Sequence, residues 1–220
     1  MIPWEWRGRL PYGEALSQQR DRRAAILAGD AQEVIWLLEH DPVVTVGRRP
    51  APGTPTPEAL AAMGVDFFAV ERGGLATWHG PGQLVAYLLV DAASRKLWVK
   101  GLVCAVEQGV IDWLAEAGVS ANRRPGYPGV WVSSGIQTMR SQKICAVGMH
   151  FRRGVSMHGI ALNLTPDLSG FSLITPCGIT DGGVTSLERE LGRSPAPAQA
   201  AHTLGAALSA AIACREEKST

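Results

Sequence analysis

The sequence predicts an α+β fold in which a mixed, largely antiparallel sheet is flanked by helices. Strand-like and helix-like segments are mixed along the chain without the strict alternation that builds a doubly wound parallel sheet. The chain has 220 residues, 46% of them hydrophobic and 19% charged, which suits one globular domain. We therefore expect residues 1–220 to form a single domain, with a frayed tail at 216–220.

Helices are predicted where apolar residues recur at helical spacing and are bounded by cap or stop signals. The first is followed by Gly29 and Asp30, the last is preceded by Pro197, and Thr185 or Ser186 can cap a helix that contains Glu188. The predicted helices cover Tyr12–Ala28, Pro57–Met63, Trp98–Ala117, a segment opening within Val184–Glu190, and Ala198–Ala213.

Strands are predicted in short apolar or β-branched runs bounded by turn residues. The first two of these runs are joined by a tight turn at 39–42, and 73–82 is predicted to be one glycine-punctuated loop. The predicted strands cover Glu33–Leu38, Val43–Val46, Asp66–Val70, Leu84–Val90, Gly129–Ser133, Ile144–Phe151 and Ser156–Asn163.

Charge and hydropathy argue against binding to nucleic acid or a membrane. The formal net charge is +1, so no global field attracts a polyanion. No apolar run approaches the ~20 residues of a membrane span, and residues 1–6 lack the pattern of a secretory signal. We expect a cytoplasmic protein with reduced thiols.

Cys177 is the candidate nucleophile among the four cysteines. It lies between Pro176 and Gly178, outside any periodic segment, which is typical of a rigidly presented thiol. The alternative is a loop residue without chemistry. Cys104, Cys145 and Cys214 fall in apolar helical or strand patterns and are expected to be structural. The sequence contains no C-x-x-C motif, so the cysteines do not predict a metal site.

The densest glycine cluster is Arg72-Gly73-Gly74-Leu75-Ala76-Thr77-Trp78-His79-Gly80-Pro81-Gly82-Gln83. Its glycines let the backbone approach a ligand closely. Between them, Thr77 supplies a hydroxyl group, Trp78 a flat apolar side chain and His79 a titratable ring. The alternative is a tight hairpin with a hydrogen-bonded histidine. The spacing matches neither a Walker loop nor a dinucleotide-binding fingerprint.

Lys143 opens the apolar strand that continues through Ile144-Cys145-Ala146-Val147-Gly148. An ammonium in this position either snorkels from a sheet edge, which is the commoner case, or lies in a site. A cation lowers the pKa of a nearby thiol, so Lys143 or His79 would activate Cys177 if the fold brought them together.

These segments together resemble the lipoyl(octanoyl) transferases, which are octanoyl-acyl-carrier-protein:protein octanoyltransferases. The resemblance begins at Leu37-Leu38-Glu39-His40-Asp41-Pro42-Val43-Val44-Thr45-Val46-Gly47-Arg48 and continues through the Arg72–Gln83 cluster. It then includes Lys143–Gly148 and His158-Gly159-Ile160-Ala161-Leu162-Asn163, and it ends at Pro176-Cys177-Gly178. Five motifs in the same order are far more specific than one.

The resemblance implies a fold similar to the catalytic domain of biotin and lipoate protein ligases. It implies that Cys177 forms an acyl-thioester and that Lys143 lowers the thiol pKa and serves as acid and base. It also implies an acyl pocket lined by Arg72, Gly73, Gly74, Leu75, Ala76, Thr77, Trp78, His79, Ala146, Val147, Gly148, Gly159, Ile160 and Ala161.

The implied donor is octanoyl-acyl carrier protein. The implied acceptors are lipoyl domains of 2-oxoacid dehydrogenase complexes and the glycine-cleavage H protein. No cofactor is implied, and we expect a monomer. Acyl carrier proteins are acidic, so Arg48-Arg49, Arg123-Arg124 and Arg152-Arg153 are candidate docking pairs, although simple solvation explains each pair equally well.

Three departures from the family pattern affect the expected pocket rather than the catalytic groups. Leu75 replaces a residue that is often polar, Trp78 stands where tyrosine is common, and the segment 134–142 before Lys143 is longer than usual. Three other functions stay open: an ATP-dependent lipoate–protein ligase, a non-catalytic binder of acyl carrier protein, and a cysteine hydrolase that uses His79 as base.

Overall fold

The computed structural model describes residues 1–49, 51–133, 141–174 and 183–217. Its helices are α1 (Tyr12–Ala28), α2 (Pro57–Ala62), α3 (Trp98–Glu116), α4 (Leu187–Leu191) and α5 (Pro197–Glu217), with a 3-10 helix at Leu168–Leu173. Its strands are β1 (Trp4–Arg9), β2 (Val34–Glu39), β3 (Val43–Val46), β4 (Asp66–Ala69), β5 (Ala76–His79), β6 (Gln83–Leu89), β7 (Ala121–Arg124), β8 (Tyr127–Ser133), β9 (Ser141–Arg152), β10 (Val155–Asn163) and β11 (Gly183–Val184).

Two sheets organise the described residues. The main sheet has the order β1-β2-β6-β10-β9-β8-β7, with β11 added beside β9, and its pairs are antiparallel except β1–β2 and β11–β9. A small sheet has the order β4-β3-β5. The predicted α+β class with a mixed, largely antiparallel sheet is confirmed.

The main sheet is covered on both faces. Helices α3 and α5 pack together over one face, around Leu102, Val106, Leu204 and Leu208. Helix α1 and part of the small sheet cover the other, where Tyr12 and Leu16 meet Val85, Leu89 and Met157.

No helix in the described ranges is both long and apolar enough to cross a membrane.

The predicted helices and strands all form, with boundaries shifted by a few residues at most. The two strands that flank the predicted tight turn at 39–42 do not pair with each other. Strand β2 belongs to the main sheet and β3 to the small sheet. Ser186 rather than Thr185 caps α4, accepting a hydrogen bond from the Arg189 backbone N–H. The Thr185 hydroxyl instead bonds the Glu190 carboxylate.

Candidate active site

A narrow cavity lies between the main sheet, α1 and the small sheet. Its volume is about 60 Å³, room for about four to six water-sized groups. The residues that line it are Tyr12, Arg72, Gly73, Gly74, Ala76, Thr77, His79, Val85, Tyr87, Lys143, Ala146, Val147, Gly148, His158, Gly159, Ile160 and Ala161. All of the predicted pocket residues except Leu75 and Trp78 are among them. We call this space the inner cavity.

Small residues at paired positions of β9 and β10 create the inner cavity. Gly148 faces Gly159 and Ala146 faces Ala161 across the two strands, and alternate residues of a strand share one face. A larger residue at Gly159 is excluded, because its Cβ would lie 2.0 Å from the Ala86 carbonyl oxygen. The sheet surface therefore has a shallow depression at these four small residues. The larger side chains of Tyr87 and Val85 lie beside it on β6.

The glycine cluster is not a single loop, because it contains strand β5 at Ala76–His79. The predicted loop is wrong at this point: β5 pairs with β3, and the pairing gives Thr77 and Trp78 a regular register. Sequence reasoning missed β5 because four residues between glycines carry too little periodicity.

Arg72 fixes the start of this cluster. Its guanidinium group donates to the Thr45 carbonyl oxygen at 2.6 Å and to the Thr45 hydroxyl at 2.9 Å, and the residue is buried. The Gly73 backbone N–H then donates to the Met149 carbonyl oxygen at 3.0 Å, and Gly74 adopts a φ of 93° that favours glycine. The turn is thereby tied both to the small sheet and to β9.

Trp78 and Leu75 do not line the inner cavity. Side chains alternate along β5, so Trp78 points away from the face shared by Thr77 and His79. The indole packs edge-on against Phe171 at a centroid distance of 5.5 Å, on the far side of the small sheet. Leu75 precedes the strand, and its carbonyl oxygen accepts a hydrogen bond from the Gly47 N–H.

A polar patch in and behind the inner cavity was not predicted from the sequence. Tyr12, Tyr87 and His158 line the cavity, and the His40 Nε2 lies 2.6 Å from the Tyr87 hydroxyl. The His158 Nε2 atom is buried, and no described residue forms a hydrogen bond with it. His40 and His158 both occur in the quoted family motifs, which was the available signal; the tyrosines carried none.

Burial keeps three histidines of this patch neutral. Desolvation, the largest cause in each case, lowers the pKa of His40 to about 4 and the pKa values of His79 and His158 to about 3. Neighbouring positive charge adds to the effect at His158, where Arg72 is the main contributor.

These three histidines are expected to make the protein acid-labile. Their folded pKa values lie below the unfolded value of 6.5, so their stabilisation is present above pH 6.5 and is lost as the pH falls toward 4. At pH 5 each would cost up to about 2 kcal/mol of unfolding free energy. Urea unfolding at pH 7.5 and 5 should show this loss, and His158→Gln should reduce it by about 2 kcal/mol.

The exposed His202 provides the matched control for that measurement. His202→Gln should leave the difference between pH 7.5 and pH 5 as it is in the unaltered protein. An equal pH dependence in His158→Gln and the unaltered protein would contradict the assignment of this proton uptake to His158.

Lys143 lies where the inner cavity meets a second cavity. Its Nζ is 3.1 Å from the Pro128 carbonyl oxygen and 4.7 Å from the centroid of the Trp131 ring. A carbonyl oxygen and an aromatic face both stabilise an ammonium group. Lys143 is therefore held at a cavity wall rather than snorkelling freely from the sheet edge.

Cys177 lies outside the described residues, so its contact with Lys143 stays a prediction. The chain resumes beside Lys143: Val184 pairs with Lys143, and the Thr185 N–H donates to the Lys143 carbonyl oxygen at 3.0 Å.

The other three cysteines differ in how far their side chains are buried. Cys145 is in the core, and burial raises the pKa of its thiol to about 12, which makes it a poor nucleophile. The expectation of buried, structural thiols is wrong for Cys214, which is exposed, and holds only in part for Cys104, which is half-buried. Both line a cavity between α3 and α5, and the periodicity alone did not fix which face of each helix is covered.

The candidate arginine pairs are not equivalent. Arg48 and Arg23 both contact the ring of His150, at 2.9 and 3.0 Å, which gathers positive charge beside exposed Arg49 and near Arg152. Arg123 instead pairs with the buried Glu107 at 3.0 Å, and Arg124 stacks on Tyr127. Arg48, Arg49 and Arg152 thus belong to one basic surface.

Comparison with solved structures agrees with the fold. A bipartite lipoate protein ligase from Thermoplasma acidophilum superposes with a TM-score of 0.71 over 100% of this chain and 91% of that chain, at 14% identity. A biotin protein ligase from Aquifex aeolicus gives a TM-score of 0.56 over 99% of this chain and 73% of that chain, at 13% identity. The predicted similarity to the biotin and lipoate ligase fold is confirmed.

Comparison of sequences is more specific. Residues 11–209 match the model of the lipoyl protein ligase A/B catalytic domain. The octanoyltransferase of Cereibacter sphaeroides is 47% identical over 189 residues, which cover 82% of this chain and 84% of that protein. The chain therefore belongs to the lipoyl protein ligase A/B catalytic-domain family and, within it, to the octanoyltransferases.

Proposed function

We propose that this protein transfers an octanoyl group from octanoyl-acyl carrier protein to a lysine of a lipoyl domain, through a thioester on Cys177. The observation that carries the proposal is the position of Lys143, which lines the inner cavity and lies beside the strand that follows the Cys177 segment. A cation there would favour the thiolate, and the cavity would hold the acyl chain.

In the first step the Cys177 thiolate attacks the thioester carbonyl of the donor. The new bond joins the Cys177 sulfur to the acyl carbon, the bond to the pantetheine sulfur breaks, and the leaving thiolate takes a proton. Division into two transfers is the usual benefit of a covalent nucleophile. The small apolar residues of β9 and β10 and the neutral histidines in the wall of the inner cavity support an uncharged acyl chain as the group that is held.

In the second step a neutral lysine amine of the lipoyl domain attacks the acyl-enzyme. The amide C–N bond forms, the C–S bond to Cys177 breaks, and the amine proton passes to the departing thiolate through Lys143. Lysine is protonated at neutral pH with a usual pKa near 10.4, so a positioned group that accepts its proton accelerates this step. No ATP is consumed, because a thioester is converted to a more stable amide.

The basic surface of Arg48, Arg49 and Arg152 supports an acidic carrier protein as the donor. Opposite charges on two proteins raise the rate of encounter and weaken with salt. Cytoplasmic location and a monomeric state belong to the same proposal, since the implied substrates are soluble carrier and lipoyl domains.

The test is the intact mass of the protein after mixing with octanoyl-acyl carrier protein without ATP. We expect one octanoyl adduct that neutral hydroxylamine removes, followed by transfer of that octanoyl group to an added lipoyl domain. No adduct with a verified donor would overturn the covalent mechanism, and product that forms only with ATP and free fatty acid would favour the ligase alternative.

The inner cavity is expected to set the acyl chain length. Ala146→Leu places a larger side chain beside Ala161 on the cavity floor and should lower kcat/KM for octanoyl donors by about tenfold or more. Butanoyl donors should be affected by about threefold at most. Acylation rates with thioesters of graded length would measure the shift.

Ala207→Leu is the control for that series, because Ala207 lies on α5 across the sheet and its side chain is also half-buried. It should leave the chain-length profile unchanged. A uniform loss at all lengths in Ala146→Leu would contradict the assignment of the cavity to the acyl chain.

A further inference from the structure

A second cavity of about 210 Å³ adjoins the inner cavity and has no part in the mechanism derived so far. The two cavities share five lining residues: Gly73, Gly74, Lys143, Val147 and Gly148. Their shared wall contains the lysine at which the acyl transfer is proposed to occur. We call this second space the outer cavity. If the acyl chain occupies the inner cavity, the leaving group bonded to the reacting acyl carbon would extend into the outer cavity.

The outer cavity exists because β8 is shorter than its neighbour β9. Strand β8 pairs with β9 only from Ser141 to Ala146, so none of the described strands lies beside this edge of β9 beyond Ala146. The Gly73 turn contacts that edge through Met149, and helix α3 closes the other side with Val99 and Val103. The result is an open groove whose lining includes Lys143 and the exposed side chains of Val99 and Tyr127.

Apolar and basic groups lie together at the mouth of this groove. Val99 is 52% exposed and Tyr127 is 38% exposed, and both line the outer cavity; Trp98, which precedes Val99, is 70% exposed. Exposed hydrophobic side chains that cluster in this way mark binding surfaces. Arg49 lines the same cavity and carries the only full charge among its described lining residues besides Lys143.

We propose that the outer cavity binds the 4′-phosphopantetheine arm of the acyl donor, with its thioester at Lys143 and its phosphate at Arg49. This inference rests on the proposed function, because it requires a thioester donor. The arm is mainly apolar and amide-bearing and ends in a phosphodiester, which suits a mainly apolar cavity whose lining includes the exposed Arg49. Arginine recognises phosphate oxygens through paired N–H donors.

The phosphate contact is tested with two small donors, octanoyl-4′-phosphopantetheine and octanoyl-pantetheine, which differ only in the phosphate. The unaltered protein should be acylated with a kcat/KM roughly three- to tenfold higher for the phosphorylated donor, as expected of a partly exposed ion pair. Arg49→Gln should abolish that preference, and Arg193→Gln, at an exposed arginine that lines neither cavity, should retain it.

The path of the arm is tested by closing the mouth with Val99→Trp. This change should lower kcat/KM about tenfold or more for both pantetheine donors, because their arms would meet the indole. The octanoyl thioester of N-acetylcysteamine, which lacks most of the arm, should change by about twofold at most. Circular dichroism and thermal unfolding would verify that the variant is folded.

Equal losses with the long and short donors in Val99→Trp, or a phosphate preference that survives in Arg49→Gln, would overturn the assignment of the outer cavity. Failure of the proposed function looks different. In that case no thioester, long or short, would acylate the unaltered protein.

Discussion

Cys177→Ser is expected to lose the octanoyl adduct and to slow transfer to lipoyl domains by at least about three orders of magnitude. A hydroxyl group is far less acidic than a thiol, so a nearby ammonium would not convert it to an efficient nucleophile at neutral pH. The measurements are intact mass with octanoyl-acyl carrier protein and the rate of octanoyl-lipoyl-domain formation, both without ATP.

Cys214→Ser is the matched control because the Cys214 thiol is exposed and lies on α5, away from both sides of Lys143. It should keep full activity and the hydroxylamine-sensitive adduct. An adduct that persists in Cys177→Ser and disappears in Cys214→Ser would contradict the proposed nucleophile. Cys145→Ala should also retain the adduct, since that thiol is buried.

Much of the fold could be predicted because the hydrophobic periodicity of a long segment indicates whether it forms a helix or a strand. Helices α1 and α3 and the strands β9 and β10 are long, strongly patterned and bounded by clear turn residues. The sequence did not reveal β1, β5 or β7, which are short or have mixed polarity and become strands only because a neighbour offers hydrogen bonds. Tertiary pairing outweighs local propensity in such segments.

The candidate site was predictable to the extent that its residues are neighbours in sequence. The two small-residue pairs of β9 and β10 fell inside quoted motifs, but their alignment across the strands is a property of register. Trp78 shows the limit of this reasoning: one residue of alternation sends its ring to Phe171 and not into the cavity. Tyr12 and Tyr87 are brought in by α1 and β6, from positions without any local signal.

The end of strand pairing at Ala146 explains why Lys143 is accessible from two directions. Toward the main sheet and the small sheet, Lys143 borders the inner cavity; toward α3, it borders the outer cavity. A reacting carbonyl placed beside it would have its acyl chain on one side and its leaving group on the other. This arrangement permits exchange of donor for acceptor while the acyl chain remains in place.

Lys143→Met is expected to lower kcat for octanoyl transfer by about two to four orders of magnitude while leaving the fold intact. Methionine keeps the length and apolar stem of the side chain, which packs beside Trp131, but removes the positive charge and the exchangeable protons. The Cys177 thiol should then lose its activation. Its alkylation by iodoacetamide should require a higher pH, near the ordinary thiol pKa of about 8.5.

Lys143→Arg separates the two roles that this lysine is proposed to have. Arginine stays charged, so it should preserve much of the low-pH alkylation of Cys177, but it does not release a proton at these pH values and should leave amide formation slow. Single-turnover acylation and subsequent transfer to a lipoyl domain would measure the two steps independently. If Lys143→Met transferred octanoate at a rate close to that of the unaltered protein, Lys143 would have no part in either step, and its contacts with Pro128 and Trp131 would be only structural.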